Sequence, residues 1–379
     1  MMRILAVGLR LLAAIFQLFP LRRRVAFLSR QSHVPSADFR LLASELKEAD
    51  PTLDVRISTT DSELSGKLQF ARNMLAQLWL ACTSRVLVLD GYNPVVCIPK
   101  KRTGSYVIQL WHAAGAIKRF GYQCLDTPAG RTSKQARVAR MHKNYDLIVA
   151  AGPGAIEAYA QAFGYSPDRV CALGLPHLEA LTRRMSTQDL SDSLREQYSW
   201  LDNGNINVLY APTLRRDEGA RWLTTAVEDL ARALSDIHVN LIVSKHPLTV
   251  IDETVLAEHD HVYVLPGRST TSLLPIADVM ISDYSAISLE AGLVGVPVLF
   301  FMPDIERYQT SPGLNIDPVS HDLLFGTDAA REIAKAIGDY KQLSGIRSKY
   351  DTFIKRYFDG VDLTQSTIRL AELIEEHLG

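Results

Sequence analysis

Two histidines stand where chemistry is possible. His112 lies in Gln109-Leu110-Trp111-His112-Ala113-Ala114-Gly115-Ala116-Ile117-Lys118-Arg119, and His246 lies in Ser244-Lys245-His246-Pro247. An imidazole titrates near neutral pH, so a histidine at a strand end can take a proton from a hydroxyl as a general base. Ala113, Ala114, Gly115 and Ala116 are small enough to let main-chain N–H groups approach a ligand, and Lys118 and Arg119 suit an anionic one. The alternative for this stretch is a loop histidine capping a helix beside two solvated cations. In Tyr210-Ala211-Pro212-Thr213-Leu214-Arg215-Arg216, Thr213 can cap a helix whose first turn holds two arginines. Cations oppose the helix dipole there, so Arg215 and Arg216 fit a bound anion better than a bare N-terminus. In Ser282-Asp283-Tyr284-Ser285-Ala286, Ser285 reads as an N-cap, with Glu290 about one turn further on. The free N–H groups of such a helix suit a pyrophosphate, and Glu290 then reaches a ribose hydroxyl. Any one of these stretches is also compatible with a plain loop or capped helix. Four in one chain point to a shared phosphate-containing ligand.

All four follow short apolar runs, and those runs alternate with helical patterns. Residues 24–30, 53–59, 85–91, 105–112 and 145–152 read as strands, with helical spacing at Phe39, Leu42 and Leu46 between the first two. The pattern starts over with 206–213, 238–247, 261–267, 278–285 and 296–304. Runs of this kind separated by helices predict parallel sheets covered on both faces, and such sheets bind ligands beyond the carboxyl ends of their strands. The expected fold is α/β and GT-B-like: two doubly wound Rossmann-like domains facing a cleft, preceded by an amphipathic helix. The expected boundaries are 1–24 for that helix, 25–184 for an acceptor-side domain, 185–205 for a polar linker and 206–379 for a nucleotide-donor domain.

At 379 residues the chain is long for one core, and a hydrophobic fraction of 47% with 22% charged residues describes an ordinary folded protein. A formal net charge of -1 excludes a chain shaped as a whole by nucleic acid, so an anionic partner must be met locally. Cys82, Cys97, Cys124 and Cys171 lie far apart without metal spacing, which favours a reducing compartment over a disulfide scaffold. There is no Asp-x-Asp pair, and neither a metal nor a cofactor is expected. At the N-terminus, an apolar run is interrupted by Arg10 and closed by Pro20, with no small-x-small cleavage site after it. The expected role is peripheral attachment to the cytoplasmic face of a membrane. Arg3, Arg10 and the arginines at 22–24 would meet anionic headgroups, while Leu5, Leu9, Leu12, Ile15, Phe16 and Phe19 enter the interface. The alternative is a first helix packed on its own domain.

Over roughly 100–365 these motifs make the chain similar to the CDP-glycerol glycerophosphotransferase family, the teichoic-acid primases and polymerases of bacteria. The family's W-H-G-T-P-x-K-K stands here as Trp111 to Lys118, its Y-A-P-T as Tyr210 to Thr213, and its basic-x-H-P loop as Ser244 to Pro247. Its D-V-L-I-T-D-Y-S-S-x-x-x-D/E runs from Asp278 to Glu290. The resemblance implies transfer of glycerol phosphate from CDP-glycerol to a hydroxyl of a lipid-linked saccharide or polymer, with release of CMP. It makes His112 the base, with His246 stabilising charge on the pyrophosphate. It places Ala113, Ala114, Gly115, Ala116, Lys118, His177, Pro212, Thr213, Ser244, Lys245, Ser285, Ala286 and Glu290 around the donor. One departure is chemical: the family's G-x-P-R is Gly174-Leu175-Pro176-His177, and an imidazole cannot make a guanidinium's bidentate phosphate contact. The rival readings are a CDP-ribitol transferase on the same scaffold, a GT-B sugar-nucleotide glycosyltransferase, and an inactive membrane scaffold.

Overall fold

The structure, a computed structural model, describes residues 2–61, 66–185, 189–213, 215, 219–244, 258–265 and 267–379. The chain divides into two compact units. The first comprises 1–114, 119–180 and 359–379. Its strands are β1 (Arg22–Ser29), β2 (Asp54–Thr59), β3 (Ser84–Leu89), β4 (Tyr106–Gln109), β5 (Leu147–Ala150) and β6 (Val170–Ala172). They pair in parallel in the order β2-β1-β3-β4-β5-β6, so the winding reverses between β1 and β3. Strands covered on both faces must be apolar throughout, as Val25 to Leu28 and Val86 to Leu89 are.

Both ends of the chain join this unit. The first helix (Met2–Phe16) buries Ala6, Leu9 and Ala13, and it packs on the helix Lys67–Thr83. Phe16 and Phe19 meet Trp79 edge-on at ring distances of 5.3 and 4.9 Å. Leu9 and Phe16 therefore serve the fold and not an interface with lipid. The basic run 22–24 opens β1, where Arg24 is buried against Asp54 at 2.6 Å and Arg23 pairs with Asp50. Arg24 is spent on the sheet, which corrects its expected lipid-facing role, while Arg23 stays exposed. Residues 359–379, expected with the donor domain, belong to the first unit. The helix Ser366–Glu376 lies against the helix Ala37–Ala49, and Glu179 accepts bonds from the Thr367 N–H (2.9 Å) and hydroxyl (2.7 Å). Gly174, at φ 77°, has no room for a Cβ because Ser366 occupies that space.

The second unit comprises 115–118 and 181–358. Its strands are β7 (Ile206–Ala211), β8 (Val239–Val243), β9 (Val262–Val264), β10 (Val279–Ser282), β11 (Val298–Phe301) and β12 (Gly326–Thr327). The order is β12-β11-β10-β7-β8-β9, again all parallel, with the reversal between β7 and β10. The helices Gly219–Leu234 and Ala330–Gly338 cover one face through Leu223, Val227, Leu230, Ile333 and Ile337. Within the expected linker, Asp189–Gln197 is helical and residues 185–205 count with the second unit.

Candidate functional site

His112 is aimed by the turn that ends β4. Trp111 adopts φ 62°, a region that costs energy for a bulky residue, and its N–H donates to Gln109 Oε1 at 2.9 Å. The indole stacks on Phe120 at 4.8 Å and meets Phe163 edge-on at 5.3 Å, which holds the turn. His112 projects outward and is exposed, with Nδ1 2.9 Å from the Asp90 carbonyl. A carbonyl only accepts, so Nδ1 carries the proton and the neutral ring keeps its basic lone pair on Nε2. That is the tautomer a general base needs.

No helix follows His112. The Ala113 carbonyl accepts the Tyr159 hydroxyl at 2.8 Å, and Ala114, Gly115 and Ala116 are buried. Residues 115–118 pack within the second unit. A Cβ on Gly115 would run into the Tyr357 hydroxyl and into Leu289 of the helix Ile287–Leu293. The Ile117 carbonyl accepts from the N–H groups of Asn315 (2.8 Å) and Ile316 (3.1 Å), and Lys118 forms a bridge with Leu314. The small residues thus allow close packing beside the helix that carries Glu290.

In the second unit the motifs meet at the carboxyl ends of β7, β8 and β10. Asp283, fully buried, accepts the Thr213 N–H at 2.9 and 3.0 Å and the Thr213 hydroxyl at 2.7 Å. Thr213 is therefore committed to Asp283. Arg215 is buried too, paired with Asp283 at 2.8 Å and with Asp304 at 3.0 Å, while its guanidinium lies 4.0 Å over the Trp222 ring. This corrects the expectation that Arg215 meets a bound anion: two carboxylates already hold it. Tyr284 donates its hydroxyl to Asp304 at 3.0 Å and stacks on Tyr308 at 3.7 Å. Ser285 is not the N-cap. Ala286 is, without a side-chain cap bond of its own. The Ser285 carbonyl accepts the Ser288 N–H and hydroxyl, and the Ser285 hydroxyl accepts the Ile287 N–H at 3.5 Å. Glu290 accepts the Thr271 hydroxyl at 3.3 Å, and Ser244 shares a bond with Thr270 at 2.8 Å. Pro212, Thr213, Ser244, Ser285, Ala286 and Glu290 so share one sheet edge, at the reversal of winding where such sheets hold ligands. Asp283, Asp304 and Thr271 organise that edge and carried no assigned role in the sequence. Their only signal was the aspartate inside Asp283-Tyr284-Ser285.

His177, in the first turn of the helix Pro176–Met185, gives its N–H to Asp38 at 2.8 Å, with Nδ1 at 2.9 Å from both carboxylate oxygens. The ring is held inside the first unit. Lys245, His246 and Pro247, with Arg216, lie outside the described residues. Burial pushes the Cys82 thiol up to about 11 and the Cys97 thiol up to about 12, so neither is a nucleophile at neutral pH.

Comparison with known proteins bears on this arrangement. The profile of the CDP-glycerol:poly(glycerophosphate) glycerophosphotransferase family matches residues 12–376. The teichoic acid ribitol-phosphate primase of Bacillus spizizenii is 29% identical over 297 residues, 75% of this chain and 74% of the primase. The teichoic acid glycerol-phosphate primase of Bacillus subtilis is 24% identical over 273 residues, 72% of this chain and 68% of that enzyme. Among solved structures, the wall teichoic acid polymerase TagF superposes with a TM-score of 0.73 over 99% of this chain and 95% of that one, at 18% identity. That likeness concerns the two-domain α/β fold.

Proposed function

Because the chain belongs to the CDP-glycerol:poly(glycerophosphate) glycerophosphotransferase family, we propose that it moves glycerol phosphate from CDP-glycerol to an acceptor hydroxyl in teichoic-acid synthesis. The acceptor is a lipid-linked saccharide or growing polymer, met at the cytoplasmic face of the membrane. The hydroxyl oxygen bonds to the polyol-side phosphorus while the bond from that phosphorus to the bridging oxygen breaks. CMP departs with the bridging electron pair, and His112 Nε2 takes the hydroxyl proton. The pyrophosphate rests on main-chain N–H groups near Ser285 and Ala286, with Lys118, Lys245 and His246 supplying charge and Glu290 holding the ribose.

One observation supports this reading: Asp283 ties the Thr213 loop to the Tyr284–Ser285 loop at the winding reversal, which brings both motifs to one end of the sheet. A CDP-ribitol donor is the second reading, favoured by the 29% identity to a ribitol-phosphate primase. The test is CMP release by the full chain with a lipid-linked acceptor and each donor in turn. Faster turnover with CDP-glycerol is expected, and faster turnover with CDP-ribitol selects the second reading. CMP from neither would end the transferase assignment. His112→Ala should lower turnover about 10²–10⁴-fold with an unchanged melting temperature. Near-normal turnover in that variant would place the base elsewhere.

A further inference from the structure

The winding of the first sheet reverses between β1 and β3, and the residues just past those strands are Arg30 and the run Asp90-Gly91-Tyr92. Leu28 pairs with Leu89, and Leu89 pairs with Gln109, so these residues and His112 share one sheet edge across two strand spacings of about 4.8 Å each. Arg30 is half-buried, and its Nε is buried with no hydrogen-bond partner. Its guanidinium lies 5.6 Å over Phe70. Arg131 reaches the same place from a loop, 4.9 Å over the Tyr92 ring, and Tyr92 is anchored by its hydroxyl to the Ala139 carbonyl at 2.8 Å.

Arg24, Arg195 and Arg215 each have a carboxylate partner. Among the described residues neither Arg30 nor Arg131 forms an ion pair. The neighbouring carboxyls do not pair with them: Asp38 holds His177, and burial pushes the Asp90 carboxyl toward its neutral form. Burial pulls the Arg30 guanidinium below its ordinary value. The Tyr92 phenol acts against this, and the charge of Arg131 adds to it. Two guanidiniums brought together beside aromatic walls lack a counter-ion, and a phosphate matches their fork geometry.

We propose that Arg30 and Arg131, with Tyr92 between them, form a subsite for a phosphate of the acceptor, separate from the donor pyrophosphate. The assignment rests on the transferase reading. The Asp90 carbonyl that orients His112 is two residues from Tyr92, so a phosphate held here places the acceptor beside the base. Its chemistry is that of a phosphodiester in a growing polyol-phosphate chain or of a diphosphate linking saccharide to lipid.

The test titrates the full chain, saturated with CMP, with inorganic diphosphate and separately with glycerophosphoglycerol, by calorimetry. At least one anion should bind the native protein. Arg131→Gln and Arg30→Gln should each weaken it about tenfold or more, and the double variant should abolish it, while CMP affinity stays unchanged. Loss of diphosphate binding identifies the lipid-side linkage, and loss of phosphodiester binding identifies the polymer. Arg131 is exposed, so its substitution leaves the fold intact even where Arg30→Gln does not. The proposal falls if the native protein binds neither anion, or if Arg131→Gln binds both as the native protein does. A failure of CMP to bind counts against the donor reading alone, and the anions are then titrated without it.

Discussion

Asp90 does two things at once. Its carbonyl fixes the tautomer of His112, and its carboxyl is buried with Oδ1 lacking a hydrogen-bond partner. Burial pushes the carboxyl up to about 6. The nearby Asp38 charge adds to that, and the Ser29 bond opposes it. An unfolded aspartate titrates near ~3.9, so the folded state holds this proton more tightly. Stability from this group is full below about pH 4 and is lost as pH rises through about 6. Asp90→Asn removes the ionisation and keeps the carbonyl. It should raise stability by about 1–3 kcal/mol at pH 8 and by about half as much at pH 5. Urea unfolding at the two pH values checks this, and equal effects at both would mean that the folded carboxyl is not held above its ordinary value. Nothing in the sequence distinguished Asp90, because an aspartate after a strand reads as a turn residue until its neighbours are known.

At the level of elements, the strand ends were legible because they depend on local pattern. Four-residue apolar runs followed by polar turns predicted the sheets in which β4, β7, β8 and β10 present their motifs. What the pattern could not show was which side chains those turns consume internally. Arg215 reads as an anion ligand beside Arg216, yet it closes a buried network with Asp283 and Asp304, contributed from 68 and 89 residues away. Such pairing depends on tertiary register alone. Ser285 likewise reads as a cap, and its carbonyl proves to be the group that the helix uses. The network has an energetic consequence. Removing one member of a buried pair leaves the other charge uncompensated, at a cost of about 3–5 kcal/mol. Arg215→Met should therefore destabilise the protein by about that amount, and Asp283→Asn should behave similarly. Chemical denaturation reads the loss. If Arg215→Met lost CMP binding at unchanged stability, the arginine would be a ligand contact after all.

At the scale of the whole chain, the first unit is built from both termini, and the first helix is part of its core by one face only. Its other face leaves Ile4, Leu5, Val7, Leu11 and Ile15 exposed, and Leu18 is exposed in the turn that follows, with Ile4 at 77% and Leu18 at 83%. The spacing from Ile4 through Val7 and Leu11 to Ile15 is that of one helical stripe, and Leu18 follows it in the turn. Arg3, Arg10 and Arg22 are exposed as well. No helix among the described residues is long and apolar enough to cross a membrane. A stripe of this kind beside cations fits the interface of an anionic bilayer, where each basic residue near the surface contributes roughly 1 kcal/mol. Deleting the helix would strip Leu9, Ala13 and Phe16 from their partners, so a fold-preserving test substitutes the outer face alone. Ile4→Gln, Leu11→Gln and Leu18→Gln each remove about 1.4 kcal/mol or more of apolar insertion, about tenfold in partitioning. The triple variant should therefore lose sedimentation with anionic vesicles while keeping its melting temperature and its turnover of a water-soluble acceptor. Native protein should leave the vesicles in high salt or alkaline carbonate. Retention after carbonate would mean deeper insertion than an interfacial helix allows, and equal vesicle binding by the triple variant would remove the helix from membrane attachment.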